Sequence, residues 1–130
     1  MSNLTIVLPL KDRMNLTKRW LAFAKEYYKD FNILILDGSK EDGLKNYLTI
    51  NNFNKLLNLT YERYEYDHSI KQYFYKLSNG LSKVKTTFTV LIDNDDFFNP
   101  ACLKKSVDLL TKNLEFSTCG GQQMQFSIDK

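Results

Sequence analysis

Two short runs, Leu4-Thr5-Ile6-Val7-Leu8 and Ile33-Leu34-Ile35-Leu36, are apolar at even and odd positions alike, and each gives way to a polar loop and then a helical pattern. A strand apolar on both faces has to be covered on both faces, which is the condition of a parallel strand lying between helices. This alternation of strand, loop and amphipathic helix constrains the fold more than any other feature, and it predicts an α/β domain with a mainly parallel sheet.

Pro9 is read as the stop of the first strand. After Lys11-Asp12-Arg13, Asn15 is placed to cap a helix whose apolar residues fall at Leu16, Trp20, Phe23, Ala24 and Tyr27. The second strand ends at Asp37-Gly38-Ser39. Ser39 with Asp42 resembles a capping box before a helix within 41–57, which the stretch Asn51-Asn52-Phe53-Asn54 weakens. Residues 60–66 mix aromatic and charged groups, as a half-exposed edge strand does. The spacing Ile70, Tyr73, Phe74, Leu77, Leu81, Val84 predicts a helix. A fourth strand, Phe88-Thr89-Val90-Leu91-Ile92, runs into Asp93-Asn94-Asp95-Asp96. Asn99-Pro100 then supplies a cap and a first-turn proline for a helix carrying Leu103, Val107, Leu110 and Leu114. The stretch from Phe116 through Gly120-Gly121 to Phe126 is expected to be a last strand leading outward. The four strands should share one sheet, the first and fourth adjacent and parallel, in a single domain covering residues 1–130.

Composition narrows the function classes. Eighteen basic against fifteen acidic side chains leave +3, and the basic residues are scattered with only three Arg, so no nucleic-acid track is present. No apolar run approaches the ~20 residues of a membrane span, and Met1-Ser2-Asn3-Leu4 lacks the basic region of a secretory signal. A soluble, cytoplasmic protein without membrane contact is expected. Cys102 and Cys119 have no zinc-ligand spacing and read as buried free thiols, and Asn-Leu-Thr at Asn3, Asn15 and Asn58 reads as coincidence. His68, the one histidine, is expected at the surface or at a helix cap.

Parallel strands point all their carboxyl ends to one edge, where ligands bind. Three polar clusters follow strand ends here: Lys11-Asp12-Arg13, Asp37-Gly38-Ser39 and Asp93 to Asp96. Asp93, Asp95 and Asp96 place three carboxylates within four residues, a repulsive set that a hard divalent cation offsets, with phosphate oxygens completing its shell. An EF-hand is excluded by register, because its loop glycine would be Phe98 and its terminal Glu would be Lys104.

The strand Ile6-Val7-Leu8-Pro9 with Asp12-Arg13, the strand ending in Asp37-Gly38-Ser39, and Leu91-Ile92-Asp93-Asn94-Asp95-Asp96-Phe97 leading to Pro100 resemble the nucleotide-sugar half of family 2 glycosyltransferases. The resemblance runs from Leu4 to about Gly121. It implies a GT-A, Rossmann-like α/β sandwich with a mainly parallel central sheet, truncated after the donor half. It also implies transfer of a sugar from a nucleoside-diphosphate sugar, UDP-linked, to a glycan or other hydroxyl acceptor, with Mn²⁺ or Mg²⁺ and with inversion.

Carried over by position, Pro9 and Arg13 would lie near the nucleoside and Asp37 would hydrogen-bond the base. Asp93 matches the first acid of the Asp-x-Asp motif, Asp95 the metal-coordinating acid, and Asp96 a supporting acid. The family's Arg-Asn-x-Gly segment corresponds here to Leu77-Ser78-Asn79-Gly80; its Arg is missing, with Lys76 or Lys83 as substitutes. The half that carries the family's catalytic base would follow Gly120-Gly121, so this chain is read as the N-terminal portion of a longer protein or as a shortened relative. Asp12 is the conceivable base within it.

Two rival enzyme readings fit less well. A phosphotransfer enzyme with a nucleophilic Asp wants Asp-x-Asp near its N-terminus, and a sugar nucleotidylyltransferase wants a Gly-rich loop after the first strand, which this loop lacks. A non-catalytic nucleotide-binding module is the alternative from outside the enzymes.

Overall fold

The structure is a computed structural model, and it describes residues 2–125. The chain divides into two compact units, Met1–Phe97 and Phe98–Lys130. The first holds β1 (Leu4–Leu10), α1 (Met14–Tyr27), β2 (Asn32–Asp37), α2 (Leu44–Ile50), α3 (Phe53–Leu56), β3 (Asn58–Arg63), α4 (Ile70–Ser82) and β4 (Phe88–Leu91); the second holds α5 (Pro100–Lys112).

The four strands form one sheet in the order β3-β2-β1-β4, every neighbouring pair parallel. The expected adjacency of the first and fourth strands is therefore found. The register sets Ile6 beside Ile33 and Val7 beside Leu34, so Ile6, Leu8, Ile33 and Ile35 face one side of the sheet and Val7, Leu34 and Leu36 the other. All seven are buried, as strands apolar on both faces require. On the second face, Val7, Leu34 and Leu36 are covered by Tyr64, Leu77, Leu81 and Val84, which places α4 there. The β1-to-β2 and β3-to-β4 crossovers run in opposite directions along the sheet, so right-handed connections put α1 on the face opposite α4. Trp20, Leu21 and Ala24 are the fully buried apolar residues of α1.

Several local expectations are corrected. The first strand continues through Pro9 to Leu10. The carbonyl of Val7 accepts from the amide of Ile92, so odd residues of β1 turn their polar backbone groups toward β4. That ladder ends at Val7 opposite Leu91, and a proline at position 9 therefore removes no hydrogen bond. Arg13, not Asn15, occupies the N-cap of α1, without a side-chain cap. Ser39 and Asp42 form no capping box, because Gly43 is the N-cap of α2 and the Ser39 hydroxyl is engaged elsewhere. The helix expected within 41–57 breaks in two at Asn51-Asn52, where Asn52 is left-handed with φ 55°. The third strand does lie at an edge of the sheet but runs Asn58–Arg63.

Two helical stripes are rotated. Tyr28 instead of Tyr27 enters the core, and on α4 the residues Lys76 and Gly80 are buried while Ile70 and Phe74 are exposed. Cys102 and Cys119 are exposed free thiols, not buried ones. No strand forms between Phe116 and Gln125, and Phe126 lies outside the described residues. In the second unit, Asn99 caps α5 by accepting from the amides of Ala101 and Cys102, with Pro100 in the first turn. Among the described residues no helix is long and apolar enough to cross a membrane.

Candidate functional site

The carboxyl ends of the four strands lie along one edge of the sheet. The chain moves from β1 to β2 to β3 in one direction and then places β4 on the other side of β1, so the strand order reverses between β1 and β4. That reversal opens a crevice at the loops after β1 and β4, the usual ligand position in an open α/β sheet. Asp37 ends β2 on one side of β1 and Asp93 to Asp96 follow β4 on the other, about two strand spacings, roughly 10 Å, apart. The sequence-predicted clusters do share one edge.

The acidic loop keeps the two-residue alternation of the strand before it. Ile92 and Asn94 are buried while Asp93 and Asp95 are exposed. Asn94 donates from Nδ2 to the Thr17 hydroxyl at 3.0 Å, which pins the loop to α1 and turns Asp93 and Asp95 outward on one side. The amide of Asp96 closes the turn on the carbonyl of Asp93 at 3.2 Å. Carboxylate oxygens of Asp93, Asp95 and Asp96 come within 4.8 Å of one another, a donor set for a hard cation.

Arg13 reaches this cluster from the loop after β1. Its Nη2 donates to Oδ2 of Asp95 at 2.8 Å, both side chains remaining about half exposed. The hydrogen bond from Arg13 is the main reason the Asp95 carboxyl is held below its ordinary value, with burial pushing the other way. Tyr73 on α4 is also close enough to feel the cluster: burial first, and then the charges of Asp93 and Asp67, raise its phenol.

Asp37 is fully buried. Its Oδ2 accepts from the Tyr61 hydroxyl at 2.8 Å and lies 3.1 Å from Nη1 of Arg63, and its Oδ1 accepts from the amide of Ser39 at 2.9 Å. Tyr61 and Arg63 alternate along β3 in register with Ile35 and Asp37, so both meet the end of β2 from the same side. Burial and the Asp37 carboxylate together push the Tyr61 phenol far above its usual value. The loops after β1 and β2 are stitched by the Asp12 amide donating to Ser39 Oγ at 2.7 Å and the Lys40 amide donating to Asp12 Oδ1 at 2.8 Å.

Lys76 and Asp67 escaped the sequence reading as a pair. Both are buried; the Lys76 ammonium donates to Asp67 Oδ2 and, at 2.7 Å, to the carbonyl of Leu10. Lys76 is thus committed beneath the edge of the sheet instead of standing in for the missing family Arg. A Cβ at Gly38 would strike the Asp67 carboxylate, so glycine at this position admits the loop after β3 to the end of β2. Spacing alone could not find this, although Asp67 and Lys76 nine residues apart flank a helix start. Lys83 is engaged by Glu62 at 2.9 Å, at an open groove of about 520 Å³ between β3 and α4 that is separate from the acidic loop. His68 is exposed, and Ser69 caps α4.

The comparisons with known proteins agree with this layout. A family model described as "Glycosyl transferase family 2" matches residues 5–127. The chain belongs to this family. Solved structures similar to it include S. aureus TarS, with a TM-score of 0.66 and 18% identity over 84% of this chain and 19% of that one. TarS 1-349 has a TM-score of 0.61 and 17% identity, covering 84% of this chain and 32% of that one. TarS 1-349 in complex with UDP-GlcNAc has 0.58 and 18%, covering 84% and 31%. At these identities the likeness establishes the fold, a GT-A α/β architecture, and the family 2 chain spans between about a fifth and a third of the length of those structures. No curated protein sequence matches it.

Proposed function

We propose that this family 2 chain is the donor-binding part of a glycosyltransferase that uses a nucleoside-diphosphate sugar of the uridine type, a divalent cation and an acceptor hydroxyl, with inversion at the anomeric carbon. The observation that carries the reading is the meeting of Asp93, Asp95 and Asp96 with the loop after β1 at the switch point of a parallel sheet. The likeness to a TarS structure holding UDP-GlcNAc supports the uridine-type donor.

The residues present fit the cation that the family implies. Three carboxylates offer only hard oxygen donors, which suit Mn²⁺ or Mg²⁺. In this reading Asp95 and Asp93 hold the ion and Asp96 supports them. When bound, the ion supplies Lewis-acid stabilisation of the departing nucleoside diphosphate. The chain's own residues bind and orient: Pro9 and the backbone after β1 form the floor under the nucleoside, and Arg13 offers a planar donor fork for phosphate oxygens. Asp37 is the residue this reading assigns to the base; its carboxylate is fully buried and held by Tyr61, Arg63 and the Ser39 amide, so a hydrogen bond to the N3–H of a uracil requires one of these partners to give way.

Calorimetry with UDP, GDP and ADP, each with and without Mn²⁺, tests the reading. UDP should bind best and only with the metal present. Equal, metal-independent binding of all three would reduce the acidic loop to a turn before α5 and defeat the proposal.

A further inference from the structure

The loop after β1 carries two successive non-glycine residues in the left-handed region, Asp12 with φ 56° and Arg13 with φ 59°. Side chains adopt this backbone rarely, and it persists where surrounding contacts hold it. Those contacts are present: the Asp12 amide donates to Ser39 Oγ, Asp12 Oδ1 accepts from the Lys40 amide, and the Arg13 carbonyl accepts from the amides of Leu16 and Thr17. The loop is built so that one guanidinium faces one carboxylate of the acidic cluster. Arg13 binds Asp95 through a single Nη, and 54% of its side chain stays accessible, which leaves most of its donor fork turned to solvent.

We propose that Arg13 is an exchangeable counter-ion for the cation site: it neutralises Asp95 in the cation-free state, and on cation uptake it leaves Asp95 and gives its fork to the diphosphate. The inference rests on the nucleotide-sugar reading above. A divalent ion and a guanidinium repel each other, so they compete for the same carboxylate. A diphosphate reverses the sign, because its oxygens can be shared by the ion and by a bidentate Arg at once. Cation alone and nucleotide with cation therefore feel Arg13 with opposite signs, which a purely structural ion pair would not produce.

Binding of Mn²⁺ alone and of UDP in saturating Mn²⁺ is measured by calorimetry on the wild type, Arg13→Gln, Arg13→Lys and Asp95→Asn. Arg13→Gln should bind Mn²⁺ alone about 2- to 5-fold more tightly, the worth of an exposed ion pair removed from competition, and UDP with Mn²⁺ roughly tenfold more weakly. Arg13→Lys keeps the charge but not the fork, so its Mn²⁺ affinity should stay within about twofold while UDP still weakens several-fold. Mn²⁺ affinity unchanged or lowered in Arg13→Gln overturns the exchange. Should that variant fail to fold, wild-type UDP affinity in Arg13→Lys overturns it instead. A wild type with no Mn²⁺ binding that Asp95→Asn removes overturns the metal reading itself, a separate failure.

Discussion

Arg13 and Asp95 are 82 residues apart in the chain and 2.8 Å apart in the structure, one on each side of the crevice where the strand order reverses. The pair joins the first loop of the fold to its acidic loop, and it ties the charge state of one to the position of the other.

Because the Arg13 hydrogen bond holds Asp95 below its ordinary value of 3.8, the pair contributes stability that is complete above that value and fades as pH falls through the lowered folded value. Carboxylate-detected NMR titration should place the Asp95 midpoint below 3.8 in the wild type and move it upward in Arg13→Gln. Near neutral pH the two proteins should differ by about 0.2–1 kcal/mol, as exposed pairs do, and their stabilities should converge in acid. A midpoint indifferent to Arg13 would dissolve the pair in solution.

Asp95→Asn keeps the shape of the loop and removes its central charge. If a shared cation links the loop to the diphosphate, Mn²⁺ and UDP each tighten the other in the wild type by the same factor. In the variant this mutual enhancement should vanish, while the metal-free protein loses no more than about 1 kcal/mol and can gain as much from relieved repulsion. Calorimetry in both orders of addition, repeated after chelation of the metal, reads the coupling.

Lys76→Met should be the most damaging single change at the edge of the sheet. It strips the partner from the Asp67 carboxylate, whose Oδ1 already has no hydrogen bond among the described residues, and takes from the Leu10 carbonyl one of its two donors, the Gly38 amide remaining. Breaking a buried pair this way costs about 3–5 kcal/mol. Adding Asp67→Asn neutralises the stranded charge and should recover more than half of the loss in urea unfolding. A cost below about 1 kcal/mol for Lys76→Met would mean the pair is open to water.

Gly80 is a packing glycine. A Cβ there would overlap the side chain of Leu36 on β2, so Gly80→Ala should cost about 1–3 kcal/mol through overpacking. Leu36→Ala opens room at the same point, and the double variant should be less destabilised than the two single changes added together. Full additivity in denaturant unfolding would place the methyl group elsewhere.

Read from sequence, the fold class needed only the two runs Leu4–Leu8 and Ile33–Leu36, because burial on both faces leaves few architectures for a strand. The Asp-x-Asp loop was legible from local composition. Three carboxylates within four residues directly after an apolar strand mark a polar turn at the strand's end, whatever lies around them. Capping was read correctly at Asn99-Pro100 before α5, while Ser69 with Gln72, a capping-box spacing at the start of α4, was legible by the same rule and went unread.

What the chain could not disclose in one dimension is which polar groups meet across loops. Asn15, Ser39 and Asp42 are good capping residues by type, yet the helix starts went to Arg13 and Gly43, and the Ser39 hydroxyl accepts instead from the Asp12 amide across the loops. Lys76 falls among the apolar positions of α4 and is buried there only because Asp67 and the Leu10 carbonyl, nine and 66 residues away, converge on it. Local patterning determined the two central strands and their burial, which follow from nearest-neighbour periodicity, and the acidic turn, which follows from local composition. The tertiary structure decided the partners of Arg13, Asp37 and Lys76, since the pairing of charges depends on strand order and register, which bring together residues that no spacing along the chain connects.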